Sequence, residues 1–347
     1  MTSGFPVYKD LEERLLHART HPDHEIAHVM ATCSAYAYSG PETVSMIMAR
    51  LGLEDNHCRM IQLSVDPLLL RSTAFVVQSK SGRVAILCYR GTEPLSLINW
   101  MVNLDLEPER ISYQVDARRP TVHGGFYRNT RATRFEVMDT LKRGCEGRSV
   151  VPSDGGHGND LEALYITGHS LGGAMAGLMA VMVRHERKYR EAFAHRLRAV
   201  YTFGQPMIGN PDFAEACQRD EFLHENVIRY IYGNDMVPHL PPAASGAFRH
   251  FGREFLYRAP RFGNPLAGLL GQRGRSFRSS AQKWEESTRP TSQTPGAPAI
   301  LLAGLAFAAD KLQLIRSLPA AYSIEDHFPR RYISSLAAGG GQNEFGD

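Results

Sequence analysis

The chain has 347 residues, with 39 Lys and Arg against 36 Asp and Glu, and carries a net charge of +3. Apolar residues make up 43% and charged residues 22%, which is near the average for globular proteins and excludes a disordered, collagen-like or disulfide-dense chain. The length fits one large α/β domain or two ordinary domains. A charge of +3 spread over this length gives no reason to expect nucleic acid as a partner.

The cysteines are odd in number and far apart, and they form no CxxC pair: Cys33, Cys58, Cys88, Cys145 and Cys217. Neither a structural zinc site nor a fully paired disulfide framework is expected, which favours a reducing compartment. The first 20 residues lack the apolar stretch of a secretory signal peptide, and the apolar run 299–309 is too short for a spanning helix. We expect a cytoplasmic protein, or one exported without a cleaved signal peptide, with no transmembrane segment.

Residues 1–60 predict helices, because 25–38 and 43–51 carry apolar residues at helical spacing. The pattern then changes to a predicted hairpin, in which strands 73–79 and 83–89 flank a Lys-Ser-Gly turn. Further strands are predicted at 161–167, 197–203, 227–232 and 250–257, and helices at 127–143, 171–188 and 211–219. Short apolar strands that alternate with helices are typical of a mostly parallel sheet covered on both faces.

Residues 258–298 differ from the rest of the chain. They contain seven Lys and Arg but two Glu, and they are rich in Gly, Pro, Ser and Thr. The pattern favours a solvated insertion, and a basic surface for anionic lipid head groups is the alternative. The tail, 339–347, is predicted to be disordered.

The strongest chemical signal is Gly168-His169-Ser170-Leu171-Gly172, a G-x-S-x-G pattern. A predicted strand runs into it and a predicted helix leaves it, which is the setting of a nucleophile elbow. Side chains at positions 168 and 172 would clash in so sharp a turn, so glycine is needed there. Ser170 would then lie at a helix N-terminus, where free N–H groups favour a developing anion.

A nucleophilic serine needs a base, and the base needs an orienting acid. Asp235 is the candidate acid, because it directly follows the strand 227–232. His327 is the candidate base, but the residues alone leave three rivals open: His123, His239 and His250.

The oxyanion hole of such a site needs two N–H donors. Leu171, directly after the serine, and Thr92, on the turn after strand 83–89, are the candidates, and Gly91 permits this sharp turn before Thr92.

At this point the chain resembles the class 3 lipases, the fungal-type triacylglycerol lipases and their bacterial relatives. The resemblance rests on motifs that follow one another in order: Tyr89-Arg90-Gly91-Thr92, Asn99-Trp100, Val122-His123-Gly124-Gly125-Phe126, GHSLGG, YTFGQPMIGN, Asp235-Met236-Val237-Pro238 and Asp326-His327 followed by Tyr332. It implies an α/β-hydrolase fold and hydrolysis of carboxylic esters of lipids, with no metal and no organic cofactor. It also implies Ser170 as nucleophile, Asp235 as acid, His327 as base, and Thr92 with Leu171 as oxyanion donors.

The resemblance further implies a lid helix at 94–103, whose large apolar side chains would meet a lipid interface: Leu95, Leu97, Ile98, Trp100 and Met101. It divides the chain into an N-terminal helical segment, 1–60, packed on a hydrolase domain, 61–338, that carries the insertion 258–298. Triacylglycerol is the first substrate to expect, and phospholipid, cleaved by a phospholipase A1, or diacylglycerol is the alternative. The oligomeric state is left open.

A function of another class comes from His24-Glu25-Ile26-Ala27-His28, an H-E-x-x-H pattern on a predicted helix. Two histidines four residues apart share one helix face and are typical of zinc metalloproteases, with Glu25 as the base. A third ligand is needed, and Glu42 and Glu54 are the candidates that the sequence offers.

Overall fold

The computed structural model describes residues 6–65, 70–92, 108–111, 119–156, 158–257, 284–294 and 322–337. The predictions made above for the lid at 94–103, for most of the insertion and for the tail concern residues outside these ranges. So does the apolar run at 299–309.

A central sheet organises the described part of the chain. Its strands are β1 (His57–Val65), β2 (Leu70–Gln78), β3 (Val84–Tyr89), β6 (Ala163–His169), β7 (Leu197–Phe203), β8 (Val227–Tyr232), β9 (Arg253–Tyr257) and β10 (Trp284–Glu286). They lie side by side in the order β1-β2-β3-β6-β7-β8-β9-β10. The five strands from β3 to β9 are parallel, and antiparallel strands extend the sheet at both ends. Two short strands, β4 (Pro108–Arg110) and β5 (Thr121–His123), form a separate antiparallel pair.

Helices cover both faces of this sheet. They are α1 (Leu11–His17), α2 (His24–Tyr36), α3 (Pro41–Leu51), α4 (Gly124–Cys145), α5 (Leu171–His185), α6 (Arg187–Phe193), α7 (Pro211–Arg219), α8 (Glu221–Asn226) and α9 (Pro329–Leu336). Every residue of β3 and β6 is buried, as expected for strands with helices on either side. The prediction of a mostly parallel sheet covered on both faces is therefore confirmed.

Two apolar clusters fill the space between helices and sheet. One holds α4, α5 and α7 against one face, and the other holds α1, α2, α3 and α9 against the opposite face. The N-terminal helices are thus part of the core, although β1 already begins at His57, inside the segment 1–60 that the sequence predicts as helical. None of the described helices is long and apolar enough to cross a membrane.

Two histidines of the N-terminal segment, the half-buried His21 and the buried His28, make stability depend on pH. Burial lowers the pKa of both His21 and His28 to about 4, so both are neutral in the folded protein at pH 7. The unfolded chain takes up these protons near pH 6.5, above the folded pKa, so the free energy of unfolding falls as pH drops from about 6.5 towards 4. We expect a loss on the order of 1–2 kcal/mol for His28 at pH 5.

Urea unfolding at pH 7 and pH 5 measures this loss, and His28→Gln removes part of it. Stability that stays constant between the two pH values would contradict the prediction.

Candidate active site

The nucleophile elbow lies between β6 and α5. Ser170 has φ +60° and ψ −130°, a strained conformation for a residue with a side chain. A Cβ at Gly168 would lie 2.3 Å from the backbone of Gly172, and a Cβ at Gly172 would lie 2.2 Å from the carbonyl oxygen of Tyr89. Both glycines are therefore required, because α5 approaches the strands too closely for any side chain there.

Asp235 follows β8 and is fully buried. Its Oδ2 accepts a hydrogen bond from Nδ1 of His327 at 2.8 Å, and its Oδ1 accepts one from the backbone N–H of Val237 at 2.9 Å. The hydroxyl of Tyr332, on α9, donates to the same Oδ2. Because the carboxylate can only accept, Nδ1 of His327 carries the proton and Nε2 of the neutral ring holds a lone pair.

A short stretch of chain before His327 is paired with the turn that carries Asp235. The N–H of Ser323 donates to the carbonyl oxygen of Asn234 at 2.7 Å, and the N–H of Met236 donates back to Ser323 at 3.3 Å. Oδ2 of Asp326 accepts a hydrogen bond from the N–H of Asn234 at 2.8 Å. Burial raises the pKa of the Asp326 carboxyl. This pairing brings two residues that lie 92 positions apart into direct contact.

His169, the residue before the serine, links the elbow to the base. Its Nε2–H donates to the carbonyl oxygen of His327 at 2.7 Å, and its Nδ1 accepts from the hydroxyl of Tyr38 at 3.0 Å. Burial holds the pKa of His169 well below its usual range, so the ring stays neutral and keeps this donor–acceptor pattern. The two imidazole rings lie 4.4 Å apart, centre to centre.

Ser170 and His327 are both buried at the carboxyl ends of the parallel strands. The N–H of Ser170 donates to the carbonyl oxygen of Phe203, and the next residue, Gly204, is so close to the acid and the base that a Cβ there would lie 2.7 Å from Asp235 and 2.8 Å from His327. Oγ of Ser170 and Nε2 of His327 are both buried, and neither has a hydrogen-bond partner among the described residues. The two atoms do not hydrogen-bond to each other in this structure, and no other described group occupies either of them, which leaves both available to a substrate.

The candidate oxyanion loop, Arg90 to Thr92, lies against the elbow. A Cβ at Gly91 would be 2.3 Å from the Tyr38 hydroxyl and 3.3 Å from Cβ of Ser170, so glycine lets the loop approach the serine. Leu171 is the first residue of α5, where the backbone N–H groups of a helix have no partner within the helix. The structure therefore brings both predicted donors to the serine's side of the sheet.

The rival histidines have other surroundings. His123 ends β5 and stacks on Phe126 with ring centres 4.1 Å apart. Nδ1 of His239 donates to the carbonyl oxygen of Ser292, and Nε2 of His250 donates to that of Pro238. Of the four candidates, His327 is the one whose ring is bonded to Asp235.

The H-E-x-x-H pattern lies at the N-terminal end of α2. His28 is buried and bonded to the Tyr8 hydroxyl at 3.0 Å, while His24 is exposed. Among the described residues no group of three or more His, Cys, Asp or Glu side chains is placed to hold a metal ion. The zinc alternative thus gains no third ligand from the residues that the structure describes.

Two contacts of the site have no signal in the sequence before the family is considered. The sequence pattern places Tyr38 at the end of a predicted apolar helix and Tyr332 at one apolar position of a short amphipathic segment. Their hydroxyl groups bond to His169 and Asp235, which lie 131 and 97 residues away. Contacts of this kind cannot be predicted from the local sequence, because they form only when folding brings distant segments together.

The match to known proteins follows these elements. Residues 86–245 match the family model described as Lipase (class 3), a range that includes Ser170 and Asp235. The lipase of Rhizomucor miehei is 30% identical over 188 residues, covering 54% of this chain and 46% of the relative. The triacylglycerol lipase OBL1 of Ricinus communis is 30% identical over 221 residues, covering 54% and 41%. The phospholipase A1-II 1 of Oryza sativa subsp. indica is 27% identical over 203 residues, covering 53% and 47%.

A solved structure extends the likeness to the whole fold. The lipase from Rhizopus microsporus var. chinensis superposes with a TM-score of 0.56 at 17% identity, covering 95% of this chain and 97% of that one. The fold is thus that of an α/β hydrolase. Part of the chain, residues 86–245, is thus similar to the class 3 lipases, and the matches span less than half the length of these curated relatives.

Proposed function

We propose that this protein is a serine hydrolase that cleaves carboxylic esters of lipids through an acyl-enzyme. One observation carries the proposal: Asp235 is hydrogen-bonded to Nδ1 of His327, while Nε2 of His327 and the hydroxyl of Ser170 are both buried and have no hydrogen-bond partner among the described residues. The same arrangement serves acyl transfer on many unrelated folds. The class 3 lipase match supports the choice of an ester as substrate.

In the first half of the proposed reaction, His327 takes the proton from Ser170 through Nε2 while Oγ attacks the ester carbonyl carbon. The carbonyl oxygen becomes an oxyanion, and the N–H groups of Thr92 and Leu171 stabilise it. Asp235 keeps the proton on Nδ1 and stabilises the imidazolium that forms. The imidazolium then protonates the departing alcohol, and the acyl group stays on Ser170.

In the second half, water takes the place of the alcohol. His327 removes a proton from the water as its oxygen attacks the acyl carbon, and it returns that proton to Oγ of Ser170 as the fatty acid leaves. The side chains of Ser170 and His327 end in their starting state, so each cycle consumes one ester and one water.

Triacylglycerol is the substrate that we propose first, because the family match is to lipases and the relative in Ricinus is named a triacylglycerol lipase. The second candidate is a phospholipid or a diacylglycerol. It is supported by the match to a relative named phospholipase A1 and by the +5 balance of residues 258–298, which favours an anionic lipid surface.

Peripheral contact with a lipid interface is part of the proposal. It rests on the composition of residues 94–103, which include Leu95, Leu97, Ile98, Trp100 and Met101. Apolar side chains in such number favour insertion between lipids. The five cysteines, all of them free thiols, support a reducing compartment, and we propose the cytoplasm, with export without a cleaved signal peptide as the alternative.

One substrate panel tests the proposal. It consists of p-nitrophenyl esters of increasing chain length, a triacylglycerol emulsion and phospholipid vesicles, each measured below and above the concentration at which an interface forms. We expect hydrolysis of long-chain esters and a rise in rate once the interface forms. Activity on the shortest soluble ester alone would contradict the lipid assignment, and a smooth rate across the transition would contradict the interfacial contact.

A further inference from the structure

The insertion between β9 and the catalytic histidine returns to the sheet at β10, and its first residue there is Trp284. We propose that Trp284 is a positioning residue of the site, which acts through Tyr332 on the carboxylate of Asp235. This inference rests on the proposed function, because it assigns to Trp284 an effect on the turnover of that same site.

Tyr332 is the link between the two. Its hydroxyl accepts a hydrogen bond from the N–H of Tyr232 at 3.3 Å and donates to Oδ2 of Asp235. Burial and the charge of Asp235 raise the pKa of Tyr332 well above its usual value, so the hydroxyl keeps its proton and remains a donor. The oxygen that receives this bond is the one that also holds Nδ1 of His327, so the position of the Tyr332 ring affects the base directly.

Trp284 contacts the helix that carries Tyr332 in two ways. Its indole N–H donates to the carbonyl oxygen of Ser335 on α9 at 3.3 Å, and its ring stacks on that of Tyr332 at 6.3 Å with an angle of 22° between the planes. It also packs edge-on against Tyr230, with ring centres 4.8 Å apart. The indole thus fills the space between the edge of the sheet and α9.

The chain after Trp284 is fixed at several points, which holds the indole in place. Both carboxylate oxygens of Glu254 accept hydrogen bonds from Thr291, and Glu254 is also paired with Arg229 at 2.9 Å. Arg229 and Glu254 are 2% and 3% exposed, so this pair is deeply buried. Three residues further, the N–H of Thr294 donates to the carbonyl oxygen of His239 at 3.1 Å. The segment 284–294 therefore joins the sheet edge to the chain that follows Asp235.

The expected effect is on turnover rather than on substrate binding. A shift of Tyr332 changes how Asp235 holds His327, and misplacement of a catalytic group by about 1 Å can cost up to ~100-fold in rate. We expect Trp284→Ala and Tyr332→Phe each to lower kcat about tenfold on p-nitrophenyl butyrate, with KM unchanged.

A double-mutant cycle tests whether the two residues act as one unit. If Trp284 acts through Tyr332, the double variant loses about tenfold in kcat, because the second change removes nothing further. Losses that multiply to about a hundredfold would overturn the inference, since a purely structural role of Trp284 would be independent of the Tyr332 hydroxyl. If the alanine variant does not fold, Trp284→Phe takes its place. We expect it to lower kcat by a smaller factor, and this loss must also vanish when Tyr332→Phe is already present.

Glu285→Gln is the matched control, because Glu285 is the next residue of β10 and is exposed. It should leave kcat unchanged. Ser170→Ala separates the two levels of the argument. If Ser170→Ala is inactive while the kcat losses of the Trp284 and Tyr332 variants multiply, the role of Trp284 is wrong and the proposed function stands. If it remains active, the proposed function fails first.

Discussion

Replacing Ser170 by alanine is expected to lower kcat by a factor on the order of 10⁶. The change removes the oxygen that attacks the ester and leaves His327 and the oxyanion donors in place. Some catalysis over water should remain from those donors and from substrate binding. Initial rates on a p-nitrophenyl ester measure the loss, and circular dichroism shows whether the fold is retained.

Ser153→Ala is the control for this variant, because Ser153 lies on an exposed loop. It should react with an alkyl fluorophosphonate as the unaltered protein does, with label at position 170. An active Ser170→Ala protein, or label at another serine, would remove the basis of the proposed mechanism.

Replacing Asp235 by asparagine is expected to lower kcat by about 10⁴. Asparagine presents an oxygen on one side and an NH₂ group on the other. If the NH₂ group faces the ring, it donates to Nδ1, and Nε2 then carries the proton and cannot accept one from Ser170. Tyr332 would meet the same NH₂ group and lose its acceptor, so both hydrogen bonds to Oδ2 are affected.

The pH dependence of kcat in this variant gives an independent check. We expect part of the activity to return at high pH, because the imidazole works as a base only in the tautomer with a free Nε2 and hydroxide can replace it. Asp55→Asn, at an exposed carboxylate paired with Lys80, should keep full activity. A loss below tenfold for Asp235→Asn would argue for a different acid.

The sequence predicts those parts of the fold that depend on neighbours along the chain. Strands such as β3 and β6 are fully buried and appear as short apolar runs, and α5 follows from its glycines and apolar periodicity. The predicted helix 171–188 overruns a break, because α5 ends at His185 and α6 begins at Arg187. Glu186 adopts an extended conformation there, and its composition gives no warning of it.

The edges of the sheet were beyond prediction. β1 begins inside the segment predicted as helical, and β10 is three residues long, with two exposed glutamates. The short β10 has no apolar pattern of its own, and both are edge strands that pair with a single neighbour, β2 or β9. Pairing of this kind is a property of the folded chain.

The candidate site divides in the same way. The elbow is local, so five residues and their flanks predict it. Three other histidines, His123, His239 and His250, remain rivals of His327 until its ring is seen against Asp235, 92 residues away in sequence. The order of the family motifs favours His327, whereas the residues alone do not single it out. The contact between His327 and Asp235 depends on the pairing of Ser323 with Asn234 in the folded chain.

Ser170 exposes none of its surface to solvent. If an ester reaches this hydroxyl only in molecules that open, the apparent affinity for the ester is the intrinsic affinity reduced by the open fraction. Two inhibitors with the same reactive phosphorus and different bulk would then inactivate at different rates, with the bulkier one limited by how far the protein opens. Detergent or lipid that favours the open form would reduce the difference between the two inactivation rates. Those rates would then report the fraction of molecules whose serine is accessible.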